Sequence, residues 1–197
     1  MAPKPSQVSA KAGRIADLCL MAYPMIVTLA LEETARSYFN NLRRVHFPAH
    51  SNYLEAHLTL FYRLPSDEPA IGDILQSLWP SVPLWLDVTD VVCFGTGVAF
   101  SLACEPLLAL HRQLQQAFDP WLIRQDRQPL RPHITIQNKV TAFKAQRLQQ
   151  ELKAAFVPFP VRAAGWATWL YLGGPWKPLA SYPFPGAAGT EPEALLV

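Results

Sequence analysis

The chain has 197 residues, half of them hydrophobic and 16% charged, with 17 Lys+Arg against 15 Asp+Glu. That length suffices for one domain burying roughly 70% of its unfolded surface, so folding needs no disulfide or metal staple. The composition excludes a disordered chain, and the near-neutral charge balance implies no broad polyanion-binding face. Cys19, Cys93 and Cys104 form no CxxC or metal-ligand spacing, and an odd count suits a reducing, cytoplasmic compartment.

Residues 1–14 are polar and basic and read as a flexible arm ahead of a single two-lobed domain over 15–185. The apolar stretch 15–31 is interrupted by Asp17 and Pro24 and lacks a small-residue cleavage site, so it reads as structure and not as a secretion signal. No stretch is apolar and long enough to span a bilayer, and no membrane association is expected. The β-branched run 25–31 predicts a strand. Residues 32–44 predict a helix whose acidic start and Arg43–Arg44 end suit the helix dipole. A strand follows over 54–64, closed by Pro65. A helix follows over 67–79, with Asp67 as N-cap and Pro80 as stop.

Residues 84–94 and 98–104 flank Gly95-Thr96-Gly97 and predict a hairpin. Pro106 suits the first turn of a helix running to about 118, with His111 on its solvated side. Residues 131–140 predict a strand, Thr141 caps a helix to about 156, and 161–172 predict an aromatic-rich strand. Gly173-Gly174-Pro175 turns that strand so that 176–184 pairs back, and 186–197 read as a flexible tail. The class is α+β with antiparallel sheets. Strands 54–64 and 131–140 occupy comparable places, each followed directly by a helix, which suggests two duplicated lobes.

Those two strands carry the same pattern, His57-Leu58-Thr59-Leu60 and His133-Ile134-Thr135-Ile136. Strand side chains alternate, so each His and Thr share one face while the aliphatic residues face the core. Two histidines across a cleft can act as base and acid together, and two threonines can donate hydrogen bonds to phosphate oxygens. This chemistry suits in-line displacement at phosphorus, with both pH limbs expected near neutrality. Arg131, just before Pro132, is a candidate phosphate or substrate contact. Gln137 and Lys139 are weaker candidates on the face shared by His133 and Thr135. Phe61, Tyr62, Trp166, Trp169 and Tyr171 offer either a base-stacking surface or core. His46 and His50 have the H-x3-H spacing of a metal pair, but Pro48 breaks any helix between them and no cysteine or carboxylate partner is suitably spaced.

The paired motifs resemble those of the two-histidine phosphoesterase superfamily, and most closely its 2′-5′ RNA ligase-like, cyclic phosphodiesterase branch. The resemblance implies a bilobal, pseudo-twofold arrangement of two antiparallel β-sheets with flanking helices and a central cleft. It implies His57 and His133 as catalytic residues, Thr59, Thr135 and Arg131 as substrate-binding residues, and no metal or other cofactor. The implied activity is a phosphodiesterase or 2′-5′ ligase-like phosphotransfer. The implied partner is an RNA end or small nucleotide carrying a 2′,3′-cyclic phosphate or another phosphodiester, met by a monomer. Two other readings of the residues are a non-catalytic nucleotide or RNA-end binding module and a partner-docking surface in the Pro- and Trp-rich stretch 166–185.

Overall fold

The computed structural model of the chain describes residues 23–186. The expected arm, Cys19 and nearly all of the expected tail lie outside the described residues. Besides two short 3-10 turns, the order is β1 (Pro24–Leu31), α1 (Glu33–His46), β2 (Leu58–Pro65), α2 (Ala70–Ser77), β3 (Trp85–Cys93) and β4 (Val98–Ala103). There follow α3 (Glu105–Ala117), β5 (His133–Gln137), α4 (Ala142–Ala154), β6 (Phe159–Tyr171) and β7 (Trp176–Pro183).

All strand pairs are antiparallel. The strand order is β2-β1-β6-β3-β4-β5, with β7 added on β6. At 13 residues, β6 is long enough to serve two sheets. Its first residues, 159–162, pair with β3, while residues from 163 onward pair with β1 and β7. The two expected antiparallel sheets therefore exist as β2-β1-β6-β7 and β5-β4-β3-β6, joined through one strand.

Helices cross between the lobes. α1 leaves β1 yet packs against β5 of the other lobe. α3 leaves β4 yet stacks its His111 ring on Phe61 of β2, with ring centroids 4.8 Å apart. Alternation sorts the side chains between them. Leu58, Phe61, Ile134 and Ile136 are fully buried, together with Leu29, Leu86, Phe39 and Trp166. Each such side chain contributes about 1.5–3 kcal/mol of burial free energy.

Three predicted elements are shorter in the structure by three residues or more. α2 starts at Ala70 and not at Asp67, which lies in a turn. Pro69 disfavours helical geometry at Glu68, so the helix starts beyond the proline. β2 starts at Leu58 because the backbone ahead of it bonds side chains instead of a strand: Ala56 N–H donates to Asn40 Oδ1, and the Glu55 carbonyl meets the His57 ring. β5 ends at Gln137 because Lys139 takes a left-handed φ of 58°. The hairpin, Thr141 as N-cap of α4 and the β6–β7 return all form as expected.

Candidate active site

β2 and β5 are the edge strands at opposite ends of the strand order, yet their Cα atoms approach within 8 Å. Curvature through the shared β6 closes that distance. Both H-x-T patterns therefore lie where the two sheets meet, with Leu58, Leu60, Ile134 and Ile136 buried behind half-buried His57, Thr59, His133 and Thr135.

The two histidines are held in the same way. His57 Nδ1 lies 2.7 Å from the Glu55 carbonyl, and His133 Nδ1 lies 2.8 Å from the Arg131 carbonyl. In each case the acceptor is the backbone two residues earlier. A carbonyl can only accept, so each Nδ1 carries the proton, and Nε2 is left for proton transfer. The rings also have aromatic neighbours from two hairpins. Trp176, at the start of β7, lies 5.0 Å from His57, and Phe94, at the β3–β4 turn, lies 6.4 Å from His133. Burial drives His57 down to about 4, and the charges of Arg43 and His133 add to it against the opposing Glu55 carbonyl bond.

Thr59 of the first motif and His133 of the second line one cavity of about 310 Å3, together with Arg131, Tyr62 and Asp126. His57 lines a second cavity of about 360 Å3 with Thr28 and Trp169, whose Nε1–H donates to Thr28 Oγ1 at 2.9 Å. Thr28 in turn is the register partner of Thr59. Thr135 lines neither cavity; its carbonyl accepts from Arg43 at 2.7 Å.

Several expectations need correction. His111 is buried, not solvated, with Nε2 3.2 Å from the Leu60 carbonyl. An edge strand leaves its outer carbonyls unpaired, and His111 supplies one of the missing donors. Phe61 and Trp166 are fully buried core residues and offer no stacking surface, while Tyr62 and Tyr171 remain exposed. Burial of Trp166 also removes one anchor from the partner-docking reading of that stretch. Gln137 is buried and donates to the His46 carbonyl, so it serves the fold. The left-handed φ at Lys139 breaks the strand alternation that placed it with His133.

Asp126, the lone acid among the basic residues of 124–139, is buried and accepts from the N–H groups of Tyr62 and Arg63 at 2.9 and 3.0 Å. Burial raises its carboxyl, and those two bonds pull it back down. With His111 it covers the outer edge of β2.

Sequence reasoning did not find Arg43, Phe94 or Trp176 as neighbours of the site. For the two aromatics a signal existed, since each sits directly beside a glycine-containing turn of a hairpin. For Arg43 there was none, because a helix-ending arginine ordinarily faces solvent.

A sequence model described as the 2′-5′ RNA ligase superfamily matches residues 31–175. No curated protein matches the chain. Among solved structures, TT0787 of Thermus thermophilus is 17% identical, with a TM-score of 0.58 over 82% of this chain and 97% of that one. E. coli LigT complexed with 3′-AMP is 16% identical, with a TM-score of 0.51 over 82% of this chain and 98% of that one. E. coli LigT complexed with ATP gives the same identity and score over 82% and 97%. At these identities the likeness is one of fold, and it agrees with the α+β, all-antiparallel architecture.

Proposed function

The chain belongs to the 2′-5′ RNA ligase superfamily, and on that premise we propose that it is a metal-independent phosphodiesterase or 2′-5′ ligase-like phosphotransferase. Its substrate class is the 2′,3′-cyclic phosphate of an RNA end or small nucleotide, or a related nucleotide phosphodiester. The observation that carries this reading is the matched Nδ1 anchoring of His57 and His133 on edge strands whose Cα atoms approach within 8 Å, which leaves Nε2 as the proton-transfer atom of each ring. A nucleotide-binding module would need no such matched pair of proton-transfer groups.

In the hydrolytic direction a neutral histidine takes a proton from water as its oxygen bonds to phosphorus. One ribose–phosphate ester bond then breaks, and the protonated histidine gives its proton to the departing ribose oxygen. Thr59 and Thr135 supply hydroxyl donors for the phosphate, and Arg131 offsets its charge. Ligation uses the same two groups in reverse.

The test is turnover of adenosine 2′,3′-cyclic monophosphate in EDTA. Wild type is expected to open the ring, and His57→Ala or His133→Ala each to lose about 10²–10⁴-fold in turnover. Saturable binding without product in wild type would replace the enzyme with the binding module. Activity abolished by EDTA and restored by a divalent ion would move the chemistry to a metal-assisted class.

A further inference from the structure

Arg43 lies in the last turn of α1 and is only 4% exposed. A guanidinium this deep is ordinarily paired with a carboxylate. The ion pairs among the described residues include none to Arg43. One terminal nitrogen donates to the Thr135 carbonyl at 2.7 Å, and the other to Asn52 Oδ1 at 2.9 Å. The guanidinium also stands 4.4 Å from the centre of the Phe47 ring, and its Nε has no partner among the described residues.

The two acceptors lie on the chain segments that carry the two different motifs. Thr135 is the threonine of the second H-x-T, and Asn52 lies in the loop that delivers His57. Asn40, three residues before Arg43 on the same helix, accepts from Ala56 N–H at 2.6 Å and fixes that loop again. The matching device in the other half is His111, which bonds the Leu60 carbonyl behind the first motif. Burial and the nearby Arg112 charge lower His111, which favours its neutral form. The pseudo-twofold symmetry is therefore broken by one buried positive charge on the Arg43 side.

We propose that Arg43 is a positioning residue of this site: its fork holds the two H-x-T motifs in register, and its charge, balanced by no carboxylate among the described residues, disfavours a second cation at His57. His57 then serves as the base in the hydrolytic direction and His133 as the acid, and substrate phosphate is the natural counter-ion of the cluster. The inference rests on the paired-histidine reading above and assigns roles within it. Arg43 is lowered by burial to about 10 and is still a cation at neutral pH. The other charged groups around His57 are His133 and the Arg36–Glu55 ion pair, 3.3 Å apart, which lines the same cavity as His57; Arg36 is shared with Glu33 on its own helix.

The experiment compares Arg43→Met, Arg43→Lys and wild type. The His57 ring is titrated by NMR without substrate, and kcat and KM are measured on adenosine 2′,3′-cyclic monophosphate. In Arg43→Met the His57 midpoint is expected to rise above about 4 while burial still holds it below 6.5, and kcat to fall at least about 10-fold from misplacement of the motifs. In Arg43→Lys the charge stays and the fork is lost, so the midpoint stays low while kcat falls. A folded Arg43→Met variant whose His57 midpoint stays near 4 overturns the inference, as does an unchanged kcat in both variants. Should Arg43→Met fail to fold, Arg43→Lys and Asn52→Ala decide: lower kcat with an unmoved midpoint supports the fork, and unchanged kcat in both sinks it. Absence of wild-type turnover would defeat the functional reading, while the substrate-free titration would still judge the link between Arg43 and His57.

Discussion

At the scale of single residues, the two histidines are alike in sequence and unlike in environment. Both use Nδ1 on a backbone carbonyl, but His57 is driven down to about 4, chiefly by burial. The motif alone suggested two pH limbs near neutrality; the structure moves one of them. If His57 is the base, kcat/KM is expected to hold constant as pH falls through 6 and to drop only near 4, with the alkaline limb left to the acid. An acidic limb near 6.5 would show that His57 is not the base. Stability has a matching signature. Folded His57 titrates near 4 and the unfolded residue near 6.5, so within that window the unfolded state binds more protons. Its contribution therefore rises with pH from about 4 to about 6.5 and is level above that. Melting curves of wild type and His57→Gln across that window should show a shallower slope for the variant.

At the scale of elements, β2 is an edge strand made safe by side chains. An uncovered edge has orphan N–H and C=O groups and invites pairing with another chain. His111 supplies a donor to Leu60, and Asp126 accepts from Tyr62 and Arg63. Gln115 Nε2 in turn donates to the Asp126 and Gln128 carbonyls, tying α3 to the loop that leads into Arg131 and His133. Replacing Asp126 by Ala strands two partly buried N–H groups and is expected to cost about 1–3 kcal/mol. Urea unfolding measures this directly, and a change within error would show that water satisfies the same groups. Elsewhere in the fold, Gly97 has a role a larger residue cannot fill. A Cβ there would lie 2.5 Å from the Gln137 carbonyl and 2.7 Å from the Phe94 ring, the ring that stands beside His133.

At the scale of the whole molecule, β6 runs through both sheets and joins the two lobes. Its first residues belong to the β3-β4-β5 sheet and its later ones to the β1-β2-β7 sheet. The junction is continuous: Ala163 N–H donates to the Leu84 carbonyl at 2.9 Å, while Ala163 also faces Leu31 in register. α1 and α3 strengthen the union by packing on the opposite lobe. Neither sheet can keep its hydrophobic face if the other unfolds. Denaturation followed by tryptophan fluorescence and by far-ultraviolet circular dichroism is therefore expected to give coincident, two-state curves. Two separated transitions would mean that the lobes fold independently.

Local physical chemistry made much of this protein legible in its sequence. The alternation of His57-Leu58-Thr59-Leu60 and His133-Ile134-Thr135-Ile136 states which side chains face the core, because a strand has a period of two. Thr141 before its helix and Gly95 in its turn, at a φ of 66°, are similarly local decisions. Tertiary structure alone decided what depends on neighbours distant in the chain. It sent α1 and α3 to the opposite lobes, buried His111 on an edge-strand carbonyl and put Arg43 between the motifs with no carboxylate partner among the described residues. Hydrophobic pattern reports that a residue is buried or exposed along its own element. It carries no information on which distant carbonyl, ring or charge will stand against that residue, and here those contacts give two matching H-x-T patterns different surroundings.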